Sequence, residues 1–461
     1  MLTREQAEEI FSRLQKHSTA DELECLFYGT HSALTRFANN TIHQNMAEDN
    51  FGVSVRTVFS GRTARATTNK FDDESLREVV RASESLAKVQ ENDPDLLPLA
   101  GPSERRLSHA ALPGRYFAAT RELTPAERAD AVSRIVAVAE KQKLTAAGIF
   151  SSAESVEAVF NSRGLRAWHA QTGAEISITM LAEDSSGWQK ANSPDVACLN
   201  PVSLAEIAAN KALSSARPRE IPPGQYTVIL EPAAVLDTVG FAFFDFSGLA
   251  ILDQRSFLNN RIGQKLFGEN ISIWDDVRHP LQSGSPFDGE GMCRERLQLV
   301  EQGVVKRLVY ARASAEKMKK SEHASTVGPI EATGHGFPIP NEMGEAPMNI
   351  VFEGRGDTQT VEQMIATSER AILVTRLWYI REVDPYEKIL TGMTRDGTFL
   401  VEHGKVICGL RNFRFNQSLI DMLSQVESMS QPVRTSGEES FDMVVPAMKV
   451  KGFNFTEVTK F

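Results

Sequence analysis

Two groups of residues in this sequence have the types and spacing for acid–base or metal chemistry. The first is Asp288 and Glu290, in Ser285-Pro-Phe-Asp-Gly-Glu-Gly291. Two positions apart, these carboxylates would point the same way from an extended segment. The interleaved Gly289 and Gly291 let a ligand approach the backbone closely. Such a stretch could wall a channel in which a peptide lies along exposed backbone and adds as a strand. The plainer alternative is an acidic turn whose carboxylates accept backbone N–H groups. The second group is His323, Glu331 and His335. Imidazole and carboxylate ligands hold zinc at about 2 Å, but these spacings match no common zinc pattern. Gly334-His-Gly336 reads instead as a surface loop. Cys25, Cys198, Cys293 and Cys408 lie far apart and form no C-x-x-C pair. That favours reduced thiols over a disulfide scaffold or a structural zinc site. The sequence has no Gly-x-x-x-x-Gly-Lys phosphate loop and no Gly-x-Ser-x-Gly elbow. Arg355-Gly-Asp357 reads as a turn.

The elements that must position these residues are organised around 225–246. Tyr226, Val228 and Leu230 alternate with Thr227 and Ile229, the pattern of a strand buried on both faces. Glu231-Pro232 then opens a helix, with proline tolerated in the first turn. Leu236, Val239, Gly240, Phe243 and Phe244 share one face of it. Upstream, Thr3-Arg-Glu-Gln6 is a capping box for a first helix. Strands are expected at 24–28, 34–44, 51–59 and 62–67, with Ser60-Gly61 turning the last pair. A helix follows over 73–88, with Leu76, Val79, Val80, Ser83, Leu86 and Ala87 inward. Pro94, Pro98, Pro102 and Pro113 mark 91–115 as a linker or surface loop. Thr124-Pro-Ala-Glu127 caps a helix to about 141, strands follow at 149–160, 165–171 and 175–184, and Ser203 caps one more helix. Pro222-Pro223-Gly224 is the sharpest boundary. The expected division is 1–90, a linker at 91–115, 116–221, and 222–461. Strands interleaved irregularly with helices predict an α+β fold: α/β sandwich-like amino-terminal domains built on antiparallel sheet and helices, then a strand-rich carboxyl-terminal domain.

With these segments in place, the chain resembles the TldD/PmbA family, once called modulators of DNA gyrase. The resemblance runs through the 41–69 stretch, the strand-to-helix step at 225–246 and Pro-Phe-Asp-x-Glu-Gly. It continues through Ser325-Thr-Val-Gly328 and the TRLWYIR and TGMTRDG blocks at 375–381 and 391–397. In the catalytic TldD branch the helix carries His-Glu-x-x-x-His, two zinc-holding imidazoles with a carboxylate to activate water. Here those positions fall on Leu236, Asp237 and Phe241. Leu and Phe have no lone pair for a metal. The catalytic branch also uses a cysteine near the carboxyl end, and 435–446 contains none. The resemblance therefore implies the PmbA/TldE branch: no cofactor in this chain, and zinc in a TldD-like partner. Its substrates would be unfolded peptides entering an enclosed chamber. Asp237, with no metal beside it, reads as a first-turn carboxylate favoured by the helix dipole.

Composition sets outer limits. The formal charge is −10 and the pI near 5.6, which argues against a nucleic-acid surface needing clustered Lys and Arg. The amino terminus has no signal-like apolar core, and no apolar run reaches the length of a bilayer span, so the expected location is the cytoplasm. A homodimer is the alternative to a heteromeric partner. Two other functions stay open: a self-sufficient hydrolase using His323, Glu331 and His335 or Asp288 and Glu290, and a client-binding regulator such as a gyrase modulator.

Overall fold

In the computed structural model, which describes residues 1–102, 112–354 and 358–459, one sheet spans both amino-terminal segments. Its strands are β1 (Glu22–Ala38), β2 (Thr41–Phe59), β3 (Arg62–Thr68), β4 (Thr145–Asn161), β5 (Arg166–Leu181) and β6 (Ser186–Ser193). They run antiparallel in the order β3-β2-β1-β4-β5-β6. The seam between the two expected domains is β1 on β4, in unbroken register from Glu24↔Asn161 to Phe37↔Gly148.

The strands are longer than their local sequence suggests. Residues 29–33 and Gln171-Thr-Gly173, expected as breaks, are strand interior. A neighbour on each side satisfies their backbone, which outweighs weak β-propensity. The real turn is Asn39-Asn40, with φ of 51° and 59°, inside the segment expected as a strand at 34–44. Both values suit the primed two-residue hairpin, as do 44° and 81° at Ser60-Gly61.

Helices α1 (Arg4–His17), α2 (Asp73–Val89), α3 (Ala118–Arg121), α4 (Pro125–Lys141) and α5 (Pro201–Ser214) accompany this sheet. The expected capping boxes at Thr3 and Thr124 both form. The α1 and α2 stripes bury Phe11, Leu14, Leu76 and Val80 against Phe27 and Phe160. Leu86, expected inward, is exposed. At the other end α4 and α5 bury Ile135 and Ala208 against Ile176 and Ile178. The opposite face packs against the following domain: Leu26, Val159, Leu165 and Ala167 meet Ala100 and Phe287.

The 91–115 segment is therefore only partly a surface linker. Leu99, Ala100 and Arg115 are buried. Arg115 Nη2 donates to the carbonyls of Val277 at 2.8 Å and His279 at 3.0 Å, tying the segment to the carboxyl-terminal half.

The carboxyl-terminal half begins with β7 (Gly224–Leu230), α6 (Pro232–Val239) and α7 (Gly248–Leu252). Next come β8 (Ile273–Asp275), β9 (Leu297–Glu301), β10 (Val304–Val305), α8 (Arg312–Lys319) and β11 (Ile350–Phe352). It continues with α9 (Val361–Ala366), β12 (Arg370–Asp384), β13 (Ile389–Glu402), β14 (Lys405–Gly409), β15 (Phe413–Ser418) and α10 (Leu419–Ser424). The last strands are β16 (Val426–Met429), β17 (Val433–Thr435), β18 (Met443–Val445) and β19 (Met448–Val458). One sheet has the order β10-β9-β8-β11-β18-β17. The other runs β12-β7-β19-β15-β13-β14, and β12 also pairs β13, so its strands close on themselves. Strand β7 lies inside it, parallel to β12 and antiparallel to β19. Val228, Ile229 and Leu230 are fully buried, as expected for a strand covered on both faces. The fold is α+β, with the carboxyl-terminal part rich in strands. Among the described residues no helix is long and apolar enough to cross a membrane. Arg355-Gly-Asp357 lies outside the described residues.

Candidate functional site

Strand β7 delivers the chain into α6, where Glu231 holds the N-cap position and Pro232 opens the helix. Glu231 makes no cap hydrogen bond. Its Oε2 lies 2.6 Å from Lys211 Nζ of α5. Helix α6 tightens into a 3-10 turn over Gly240–Phe246. Leu236 is fully buried among Val235, Val239, Phe243 and Phe246. Phe241 packs half-buried against the same core, while Phe244, expected on the buried face, is exposed. The shift from 3.6 to about three residues per turn rotates it outward.

Against this helix lies the loop 436–442, between β17 and β18. The approach is close. A Cβ on Gly437 would collide with the Asp237 carboxylate, and one on Gly240 with the Ser440 side chain. Asp237 is the link. Its Oδ1 accepts the backbone N–H groups of Glu438 and Glu439, each at 3.1 Å. Its Oδ2 is buried with no hydrogen-bond partner among the described residues. Burial pushes the carboxyl up to about 7, although the two amides and Arg376 favour the charged form. This corrects the first-turn reading: Asp237 is the sixth residue of α6, and the donors it meets belong to the loop, not to the helix end. Lys190 Nζ donates to the Gly437 carbonyl at 3.0 Å and lies 3.7 Å from Glu438. Arg376, expected on an amphipathic strand, is buried beside Asp396 and also faces Glu438. Nothing in the local sequence marks Lys190 or Arg376, because their partners are distant in the chain.

Beside the helix and loop is an open cavity of about 560 Å³, bordered by Phe241, Phe244, Phe441 and Glu439. Its one buried ammonium, Lys388, is already committed, 2.5 Å from Asp245 Oδ2 and 2.6 Å from Glu382 Oε1. Burial raises Asp245 despite that partner.

Asp288 and Glu290 do not lie on an extended strand. They sit in a turn closed by the Phe287↔Cys293 bridge, with Gly291 at φ 78°. Asp288 Oδ1 accepts from the amides of Glu290 and Met292, both at 2.9 Å, and Oδ2 from Gly336 N at 2.8 Å. Glu290 Oε1 accepts from Arg312 N at 3.2 Å, and Arg312 Nη1 is 3.5 Å from its other oxygen. Burial, then the neighbouring Asp288, pushes Glu290 up to about 7; burial also raises Asp288. Gly289 N is bound by the Gly336 carbonyl and Gly291 N by that of Asp288. The acidic-turn alternative describes this arrangement. The turn joins the carboxyl-terminal half to the first sheet, as Phe287 shows.

His335 is not on the surface. Its side chain is fully buried, with Nε2 3.0 Å from Asp275 Oδ1 and Nδ1 2.9 Å from Thr333 Oγ1. The Gly334 turn brings it inward, where a pair of groups can satisfy both nitrogens. Burial disfavours the charge on Asp275, but His335, Arg294 and the Asn349 amide outweigh it and hold Asp275 below the ordinary range. Glu331 pairs with Arg307, and His323 lies in a separate 3-10 turn. Among the described residues no group of three His, Cys, Asp or Glu side chains is arranged to hold a metal.

The three stretches of chain also match three successive domain descriptions. These are PmbA/TldA metallopeptidase domain 1 over 23–87, the central domain over 119–216, and the C-terminal domain over 223–457. The chain belongs to the PmbA/TldD family. It is 20% identical to the metalloprotease PmbA of Escherichia coli O157:H7 over 89% of this chain and 88% of that one. It is 22% identical to a PmbA homolog of Haemophilus influenzae with the same coverage. Its fold is shared by TldE from Thermococcus kodakarensis, with a TM-score of 0.83 and 20% identity over 98% of this chain and 99% of that one. A Thermotoga maritima MSB8 structure described as a candidate modulator of a DNA gyrase gives 0.84 and 20% over 98% and 100%.

Membership raises the question of zinc, and the donor set here does not fit it. Leu236 and Phe241 offer no lone pair, and the Asp237 carboxylate is spent on the loop amides. The loop that closes over the helix, 436–442, presents Ser440 and the backbone of Gly437 to it and contains neither Cys nor His.

Proposed function

We propose that this chain is the non-catalytic, PmbA/TldE-type subunit of a cytoplasmic metalloprotease, paired with a TldD-like chain that holds the zinc and cuts unfolded peptides. The observation that carries the reading is the packing at Leu236. In a PmbA/TldD-family chain, the helix and loop are joined by a carboxylate and two amides instead of by metal ligands. Without a metal to acidify it, water remains far too weak an acid for one buried carboxyl to deprotonate. The histidine version of the self-sufficient hydrolase loses its support, since His335 has no access to solvent.

The test is zinc content and peptide hydrolysis of the purified chain, alone and after repurification with a TldD-like chain. Zinc and chelator-sensitive hydrolysis are expected only in the mixture. Stoichiometric zinc with hydrolysis in the lone chain would overturn the proposal. A regulator without chemistry is the second reading, favoured by the description of the Thermotoga maritima neighbour. A stable client complex formed with no TldD-like chain present would decide for it.

A further inference from the structure

Two local distortions turn aromatic rings outward at the cavity beside α6. The first is the 3-10 turn over Gly240–Phe246, which leaves Phe244 44% exposed. The second is a bulge where β12 loses register with β13 between Trp378 and Arg381. Leu377 and Ile380 are both fully buried, three positions apart, and Tyr379 between them takes up the slack at φ 55°. Few residues other than glycine adopt that region, and a bulge re-aims the side chain it carries. Tyr379 is 54% exposed as a result. Its amide donates to Glu439 Oε1 at 2.5 Å, which ties the bulge to the wall of the cavity. Phe241 and Phe441 stand in the same wall, both partly exposed.

The charges around this cavity are unevenly spent. Both cations in its wall are committed, Lys388 to Asp245 and Glu382, and Arg255 to Asp253 with Nη2 2.9 Å from Oδ2. Glu439 has an oxygen to spare. Its Oε2 accepts no hydrogen bond among the described residues, and the exposed Arg381 stands off at 3.9 Å. The Arg381 guanidinium lies over the Tyr379 ring, Cζ 4.6 Å from the centroid, so the chain's own arginine shows that the ring and the carboxylate together accommodate such a group. An anion entering the cavity would find no spare cation. A purely apolar group would cover the Glu439 carboxylate without pairing it, which is costly. A guanidinium both stacks on aromatic faces and pairs with a carboxylate. We propose that this cavity takes the side chain of an arginine in an unstructured peptide, stacked among Phe241, Phe244, Phe441 and Tyr379 and paired with Glu439 Oε2. That the guanidinium arrives on a peptide rests on the peptidase reading above; the preference of the cavity for a guanidinium does not.

The test uses the full chain alone and a fluorescein-labelled short glycine–serine peptide with one central arginine, followed by anisotropy. A twin peptide carries citrulline, which keeps the length and hydrogen-bonding groups of arginine without its charge. The arginine peptide should bind about tenfold more tightly than its twin. Glu439→Gln keeps an acceptor for the Tyr379 amide and should weaken the arginine peptide about threefold while leaving the citrulline peptide unchanged. Phe244→Ser, at a position already exposed, should weaken the arginine peptide by a similar factor, about threefold. Free L-arginine, whose own carboxylate meets Glu382 and Glu439, should compete less well than the unlabelled peptide. The proposal is overturned if the arginine peptide fails to bind, if the two peptides bind equally, or if both variants bind the arginine peptide as the unaltered chain does. Free arginine competing as well as the peptide would assign the cavity to the amino acid, and binding that appears only with a TldD-like chain present would assign the site to that chain; either overturns the proposal. Zinc has no part in the measurement, so a lone chain that bound the arginine peptide yet held stoichiometric zinc would sink the subunit reading and leave the cavity's assignment standing.

Discussion

Replacing Asp237 with asparagine isolates the contribution of one buried proton. The carboxyl titrates at 3.8 when unperturbed and is pushed up to about 7 by burial. One pKa unit corresponds to about 1.36 kcal/mol, so full ionisation costs the native state about 4 kcal/mol. A carboxyl raised on folding stabilises fully below its unfolded value, loses that contribution as pH climbs through about 7, and has nothing further to lose above. Asparagine imitates the protonated form at every pH. It keeps an acceptor for the amides of Glu438 and Glu439, and its NH2 replaces an oxygen that has no donor to forfeit. The stability difference between Asp237→Asn and the unaltered chain should therefore grow in the variant's favour by about 2.5 kcal/mol between pH 5 and pH 8. Urea midpoints followed by tryptophan fluorescence at pH 5, 6, 7 and 8 would measure it. Parallel curves for the two proteins would refute the assignment of the proton to Asp237.

Three other substitutions probe buried polar contacts elsewhere in the chain. His335→Ala should lower stability by about 3 kcal/mol, because it strands the buried Asp275. It should leave the peptidase activity of a complex reconstituted with a TldD-like chain unchanged, so paired urea and activity measurements separate the two roles. Glu345 accepts from Ser247 Oγ, Leu249 N, Ala311 N and Ser314 Oγ, clasping the starts of α7 and α8. Glu345→Gln turns an NH2 towards two of those donors and should cost about 2–4 kcal/mol in the urea midpoint. Arg115→Met abandons the carbonyls of Val277 and His279, and faster cleavage of the 91–115 segment in limited proteolysis is the expected result.

Much of the architecture could be read locally. Capping boxes at Thr3 and Thr124, the Ser60-Gly61 turn and the doubly buried β7 each rest on short-range chemistry, and each is found where it was expected. The lengths of β1 and β5 could not be read that way. Gly29 and Gly173 resemble turn residues, yet strands on both sides hold them extended. The one available signal for β1 is Asn39-Asn40, a pair suited to positive φ, which lies within the pattern that reads as a strand across 34–44. Around the site, Asp288 and Glu290 behave as the acidic-turn alternative described. His335, by contrast, reads as a surface residue because its flanking glycines suggest a loop and nothing nearby announces Asp275, sixty positions earlier.

Residue type alone determined that positions 236 and 241 cannot hold a metal, since no packing gives leucine or phenylalanine a lone pair. It also determined the periodicities from which an α+β chain follows. What the tertiary structure decided is the state of the groups that do titrate. Asp237, Glu290 and Asp275 are ordinary acids in the sequence. They are pushed up to about 7, pushed up to about 7 and held low, respectively, by burial and by partners from distant strands and loops. Charge in a protein interior depends on the summed field of neighbours that only the folded chain brings within a few ångströms, and a linear string of residues does not contain that sum.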